Sequence, residues 1–275
     1  MFLDRLARAP AVLVSVESTQ GSAPRDAGAW MAVFADAIVG TIGGGQLEYE
    51  AIAQARQLLA GGAIHQAEAG NRPQHLRLAL GPSLGQCCGG VVHLQLARVD
   101  ARDAMHLRRQ LEQARQRRRH QVALFGGGHV GHAIVDVLSR LPFTLIWIDS
   151  RDGVFPNYDG LDLHCEHSDP VEAAVPGLAP QSRVLIMSFS HAEDLDVLAA
   201  CLKRQREHAD LPYIGLIGSQ TKWAVFCRRL EARGFTADEL AHVTCPIGVS
   251  GIAGKEPEVI AVAVAAQLLQ SFCNF

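Results

Sequence analysis

Apolar positions along this chain repeat with two different patterns, and the change between them falls near residue 119. In the first hundred residues, the runs at 11–16 (AVLVSV) and 29–34 (AWMAVF) flank a Gly-Ser-Ala-Pro-Arg turn, while 75–80 (HLRLAL) and 91–96 (VVHLQL) alternate apolar and polar residues. Successive side chains of a strand point to opposite faces, so such alternation marks antiparallel strands buried on one side. Residues 46–59 place Leu47, Ile52, Leu58 and Leu59 among polar neighbours ahead of Gly61-Gly62, the pattern of a helix with a glycine stop. Together these elements predict a small α+β domain over residues 1–99.

Residues 100–119 change to Arg, Gln, Glu and His with sparse leucines, which predicts a solvent-facing helical connector; its Arg115 and Arg117 to Arg119 suit a solvated face better than an anion patch. Beyond it, apolar runs at 121–125, 144–148, 183–187 and 213–217 alternate with helical patterns at 130–140, 170–175, 194–206 and 221–232, followed by an Ala/Val/Leu-rich helix from Pro257 to Ser271. Apolar strands separated by helices specify a doubly wound parallel α/β sheet, a Rossmann-like domain over residues 120–275.

Composition narrows the function classes. With 25 Lys+Arg against 28 Asp+Glu, the net charge of −3 provides no general attraction for nucleic acid or an anionic membrane surface. The longest apolar stretch, residues 260–269, is too short to span a bilayer, and the first ten residues (MFLDRLARAP) lack a signal-peptide core. Seven cysteines at 87, 88, 165, 201, 227, 245 and 273 show neither C-x-x-C nor zinc-site spacing, so a reducing, cytoplasmic setting is expected.

The sharpest motif is Gly126-Gly127-Gly128-His129-Val130-Gly131, a G-x-G-x-x-G that leaves a predicted strand and opens a predicted helix, with Asp149 ending the next strand. The first glycine permits a tight turn, the second lets backbone approach a phosphate, and the third lets the helix pack on the strand; free N–H groups at the helix start then bind the anion. Asp149 is placed to accept from a ribose or another polar ring edge, and Arg151 either favours an extra phosphate or is an ordinary surface residue. NAD(P) is one ligand such a turn takes, but any phosphate-tailed heterocycle suits it.

Four further features have chemical potential. Gly43-Gly44-Gly45 before a helix is either a second anion nest or a tight structural turn, and Arg25 is a candidate partner for an oxyanion. Cys87-Cys88, flanked by glycines, are either small buried hydrophobes or thiols activated as nucleophile, metal ligand or sulfur carrier. Ser190-His191 and Lys222 follow strands of the second domain, at the sheet edge where such folds bind ligands; Ser190 also suits a helix cap, and Lys222 a solvated lysine. Cys165, Cys201, Cys227 and Cys273 lie within strand or helix patterns and are assigned to packing, with Cys245 undecided.

Taken in order, GSAPR at 21–25, GTIGGG-x-LE at 40–48, GQCCGG at 85–90, LFGGGHVG at 124–131, Ser190-His191, YIGLIGS-x-x-K at 213–222 and the run at 246–269 resemble the XdhC/CoxI family, over about residues 10–270. The resemblance implies an N-terminal XdhC/CoxI domain and a C-terminal Rossmann domain. It implies that the protein binds the molybdenum cofactor (molybdopterin), a pterin with a dithiolene-held molybdenum and a terminal phosphate. The cofactor is held while a cysteine desulfurase supplies a terminal sulfido ligand, then delivered to the molybdenum-binding subunit of xanthine dehydrogenase. A homodimer is also implied. Set against the motifs, the phosphate would lie on 126–131, the pterin near Asp149, and the molybdenum near Cys87 or Cys88, across an interdomain cleft. One departure stands out: many relatives carry Thr-His-Asp where this chain has Ser190-His191-Ala192, so no adjacent carboxylate orients the His191 ring. An NAD(P)-dependent oxidoreductase and a scaffold bridging desulfurase and dehydrogenase are the competing expectations.

Overall fold

Valines at alternate positions organise the first sheet. In the computed structural model, which describes residues 2–61, 73–80, 89–117, 120–156 and 162–273, the chain divides into the units Met1–Arg117 and Arg118–Phe275. The first contains α1 (Phe2–Leu6), β1 (Ala11–Gln20), β2 (Trp30–Val33), β3 (Ile38–Gly40), α2 (Gly45–Ala60), β4 (Gln74–Ala79), β5 (Val91–Val99) and α3 (Ala104–Arg117). The strands form an antiparallel sheet in the order β3-β2-β1-β5-β4. Val12, Val14 and Val16 of β1, Met31 and Val33 of β2, and Val92, Leu94 and Leu96 of β5 share one buried face, onto which α2 packs Leu47, Ala51 and Ala55 at helical spacing. The opposite parity (Ala11, Ala32, Val99) meets Phe2, Leu6, Phe34 and Leu107. The 100–119 stretch, expected as a solvent-facing connector, thus sends Leu107 of α3 into this core, with Leu111 one turn on partly buried; two leucines at i, i+4 suffice to seat one helix face.

The second unit carries β6 (His120–Phe125), α4 (His129–Leu138), β7 (Phe143–Asp149), β8 (Leu163–His167), β9 (Arg183–Ile186), α5 (His191–His208), β10 (Tyr213–Leu216), α6 (Gln220–Ala232), α7 (Ala237–Leu240), β11 (Val243–Thr244) and α8 (Pro257–Cys273). All neighbouring strands are parallel, in the order β11-β10-β9-β6-β7-β8. Both faces of the sheet are buried: Ala123, Phe125, Val184 and Ile186 pack with Leu195, Leu198 and Leu202 of α5, and Val122, Leu124, Trp147 and Leu185 pack with α4 and α8 through Ile134, Leu138, Val264 and Leu268. Burial on both faces explains the unbroken apolar runs of β6 and β9. The helix expected at 170–175 is a tight 3₁₀ helix over Val171–Gly177 with Pro176 inside it; proline removes an N–H and crowds the preceding turn, which disfavours an α-helix. β8 escapes sequence reading because LHCEH has no apolar run; as an edge strand it is recruited by its register with β7.

The chain runs from β6 to β7 and β8 on one side, and through β9, β10 and β11 on the other. The strand order therefore reverses between β6 and β9. At such a reversal the loops leaving the carboxyl ends diverge, opening a crevice suited to ligands. Among the described residues, no helix is long and apolar enough to cross a membrane.

Candidate functional site

The glycine turn leaves β6 at this reversal, and its glycines have unequal reasons to be there. Gly126 has φ +126°, and a Cβ on it would lie 1.9 Å from the Met187 carbonyl oxygen just past β9. A Cβ on Gly131 would lie 2.3 Å from the Gly126 carbonyl oxygen, where helix and turn are in backbone contact. At Gly127 a Cβ would meet Val154 Cγ2 at 2.8 Å and Asp149 Oδ2 at 3.1 Å. Gly128 differs: it is exposed, with an ordinary φ of −83°, and among the described residues nothing lies within 4 Å of a Cβ built there. The buried Trp147 indole donates to the Gly126 carbonyl at 2.9 Å and fixes the turn from beneath.

Gly128 is also the N-cap of α4, and no side chain among the described residues caps this helix. At the neighbouring helix starts Ser190 accepts from Glu193 N–H on α5, and Ser219 accepts from Lys222 N–H on α6, both at 3.2 Å. Helix-start amides lack intrahelical acceptors, so those of α4 present donors to a ligand. His129 is exposed at the first helical position, while Val130 is half-buried against the core.

Asp149 stands beside the turn as expected, but its carboxylate is committed within the chain. It is 1% exposed. Oδ2 accepts from Gly127 N–H and from Arg151 Nη2 at 2.9 Å, and Oδ1 accepts from Arg151 N–H and Nε, each at 2.9 Å. Burial pushes its pKa up; hydrogen bonds from Arg151 and Gly127, with the adjacent guanidinium charge, outweigh this and hold it below the usual carboxylate range. The same guanidinium lies 4.5 Å over the ring of Phe189, which is 65% exposed. Glu193 ties the two loops together, accepting from Ser150 Oγ at 2.8 Å and Phe189 N–H at 3.0 Å. Sequence reasoning missed Phe189 and Glu193; the available signal was a lone aromatic immediately after a buried strand.

Lys222 and Asp194 form a buried staple across the ends of β9 and β10. The ammonium donates to Asp194 Oδ2 at 2.6 Å and to the Ile217 carbonyl at 2.7 Å, and Asp194 Oδ1 accepts from Ser188 N–H at 2.7 Å. Lys222 is therefore employed in holding loops. Ser190 caps α5, and His191, its first residue, is exposed and edge-on to Phe226 at 6.3 Å.

In the first unit three glycine-rich segments converge. A Cβ on Gly43 would lie 2.4 Å from Pro24 Cβ and 3.4 Å from Arg25 Cγ, and one on Gly90 would lie 2.2 Å from the Ser22 carbonyl. The 21–25 loop thus packs against both Gly43 and Gly90, and Arg25 is exposed beside the 43–45 turn. Gly43, Gly44 and Gly45 all have positive φ, a region glycine enters without the cost a side chain would bring. The chain supplies its own anion there: Glu48 accepts from Thr41 Oγ1, from Ile42 N–H at 2.8 Å and from Gly43 N–H at 3.1 Å. Burial raises the Glu48 pKa, but these bonds and one from Gly44 N–H prevail and lower it.

Cys87 and Cys88 lie outside the described residues. Of the others, Cys201 is buried, its thiol pushed up to about 12, and Cys245 is half-buried and pushed up by burial to about 11. Cys165, assigned to packing, is exposed. Among the described residues no group of three or more His, Cys, Asp or Glu side chains is placed to hold a metal ion.

Residues 122–268 match the family model described as the XdhC Rossmann domain, and residues 5–67 match that described as the XdhC and CoxI family. The chain is 27% identical over 265 residues to the uncharacterized protein YqeB of Escherichia coli (strain K12), covering 95% of this chain and 43% of YqeB. It thus spans less than half the length of that relative. A crystal structure described as a xanthine dehydrogenase from Bacillus halodurans aligns with a TM-score of 0.74 at 21% identity, covering 99% of this chain and 95% of that one, which shows a shared fold.

Proposed function

The chain belongs to the XdhC and CoxI family, and from that premise we propose that it binds the molybdenum cofactor as cargo, holds it during sulfuration by a cysteine desulfurase, and delivers it to the molybdenum-binding subunit of xanthine dehydrogenase. The observation that carries this reading is Gly128. Packing within the chain accounts for Gly126, Gly127 and Gly131, whereas among the described residues nothing lies within 4 Å of a Cβ at Gly128, at the uncapped start of α4. A glycine that internal packing does not require, beside unclaimed amide donors, suits the close approach of a phosphate tail. Gly128, His129 and Val130 would hold that phosphate through backbone N–H groups, with Gly126 and Gly131 shaping the turn. The pterin would lie toward Arg151 and Phe189. Arg25 and the 43–45 turn form a second polar locus on the 21–25 loop, whose Gly21 and Ser22 pack against Gly89-Gly90; contact of molybdenum with Cys87 or Cys88 belongs to the same proposal.

The oxidoreductase alternative loses support from Asp149. A carboxylate offers about four acceptor positions, and four internal donors engage them here. A ribose diol would have to displace one before the acid could recognise NAD(P) in the usual manner.

The test is retention of cofactor by the full chain. Protein incubated anaerobically with molybdenum cofactor released from a molybdoenzyme, then desalted, should retain molybdenum and pterin in stoichiometric amounts, read by metal analysis and oxidised-pterin fluorescence. Gly128→Val should lose most of both while remaining folded. Wild-type protein that retains neither would overturn the proposal.

A further inference from the structure

We propose that Phe189 is the stacking platform for the planar heterocycle of the ligand, with Arg151 locked beside it so that the site selects a phosphate-tailed ring without requiring a ribose diol. The inference rests on the reading that the 126–131 turn holds the ligand's phosphate. It goes further in assigning the recognition of the ring to a residue on a different loop.

The placement of Phe189 follows from contacts that lead back to the turn. Met187 N–H donates to the Phe125 carbonyl at 2.8 Å, and a Cβ on Gly126 would lie 3.1 Å from Ser188 N, so the segment leaving β9 is pressed against the glycine turn. Phe189 is the next residue. From the other side, Gly127 N–H is held by Asp149, Asp149 holds Arg151, and Arg151 lies 4.5 Å over the Phe189 ring. Glu193 takes the Phe189 N–H and the Ser150 hydroxyl, and Asp194, itself held by Lys222, takes the Ser188 N–H. The phenyl ring is therefore mounted on a loop pinned at two consecutive amides. It remains 65% exposed.

A large apolar ring held in water by a rigid mount, next to open phosphate donors, has the form of a stacking surface. Stacking accepts any flat π-face. The charges nearby refine the selection. Asp149 is saturated, so it offers nothing to a sugar hydroxyl. Arg151 spends Nε and Nη2 on Asp149, and Nη1 has no partner among the described residues. The guanidinium cannot turn away without uncovering a buried carboxylate, which keeps it over the Phe189 ring.

The experiment titrates the full chain with neopterin monophosphate, NADH and inorganic phosphate by calorimetry, using wild type, Phe189→Ala, Phe189→Trp and Gly128→Val. Phe189→Ala should weaken neopterin monophosphate about tenfold and leave inorganic phosphate unchanged. Phe189→Trp should retain the affinity, with the added indole fluorescence quenched on binding. Gly128→Val should weaken both phosphate ligands. Unchanged neopterin monophosphate affinity in Phe189→Ala overturns the platform, while loss in Gly128→Val alone leaves the phosphate turn standing. Equal weakening of inorganic phosphate by Phe189→Ala also overturns it, because the ring would then act through the turn's shape. Tighter binding of NADH than of neopterin monophosphate refutes the selection against a ribose contact. If wild type binds neither phosphate ligand, both this inference and the cofactor reading fall.

Discussion

Asp149→Asn is the most informative single substitution, because it keeps the shape of the side chain and reverses one of its hydrogen-bonding roles. Oδ2 takes Gly127 N–H and Arg151 Nη2, and Oδ1 takes Arg151 N–H and Nε. Whichever way the amide is turned, its NH₂ faces two donors. Two of four hydrogen bonds are lost, and the ion pair with them. Hydrogen bonds to a charged group contribute about 1.5–3 kcal/mol each; the low end applies because the Arg151 side chain is 36% exposed and can rehydrate. The expected destabilisation of the second unit is then about 3 kcal/mol. For a domain of this size that is a drop in Tm of about 6–12 °C, measured by calorimetry on the full chain and assigned to the second unit by hydrogen exchange. The pH dependence supplies the check. The folded pKa of Asp149 is depressed below 3.8, so the wild-type advantage over Asn is complete above that value. It disappears as pH falls through the depressed pKa, and is flat between about pH 6 and 8. A difference below about 1 kcal/mol at neutral pH, or one undiminished in acid, would refute the assignment of Asp149 as the internal anchor of the turn.

Four other substitutions probe the same logic. Gly131→Ala places a methyl 2.3 Å from the Gly126 carbonyl and should cost about 3 kcal/mol, whereas Gly128→Ala should cost at most about 1 kcal/mol; equal melting temperatures for the two would contradict the distinction drawn between these glycines. Trp147→Phe removes the indole donor from the buried Gly126 carbonyl and should cost about 1–3 kcal/mol, with faster amide exchange at 127–131 as its local signature. Glu48→Ala empties the nest of Ile42, Gly43 and Gly44 amides. Millimolar sulfate should then raise the melting temperature of the variant but not of wild type, and the absence of any sulfate response would show that the amides do not form an anion site on their own.

Much of the scaffold was legible in the pattern of apolar positions because burial demands it directly. The alternation in 91–96 and the unbroken run of 121–125 differ because β5 and β6 belong to sheets packed differently. Elements at edges were not legible: β3 and β8 are held by the register of a neighbouring strand, and LHCEH carries no signature of that. The 43–45 glycines left an anion nest and a tight structural turn equally open; Glu48 accepts from the amides there, and the sequence hint was a carboxylate in the first turn of the following helix.

What the sequence by itself determined is the set of backbone positions where a side chain is intolerable and the strands and helices that bury apolar surface, since sterics and periodicity are local properties. The tertiary structure decided how polar groups are spent. Asp149 and Lys222 both looked available for a ligand, and both are occupied, by Arg151 with Gly127 and by Asp194 with Ile217. Phe189, just past the predicted strand at 183–187, was not singled out and is exposed. A buried charge must find its partner wherever the fold brings one within hydrogen-bonding distance, and for Lys222 that partner is twenty-eight positions away in the chain, a separation the sequence alone does not resolve.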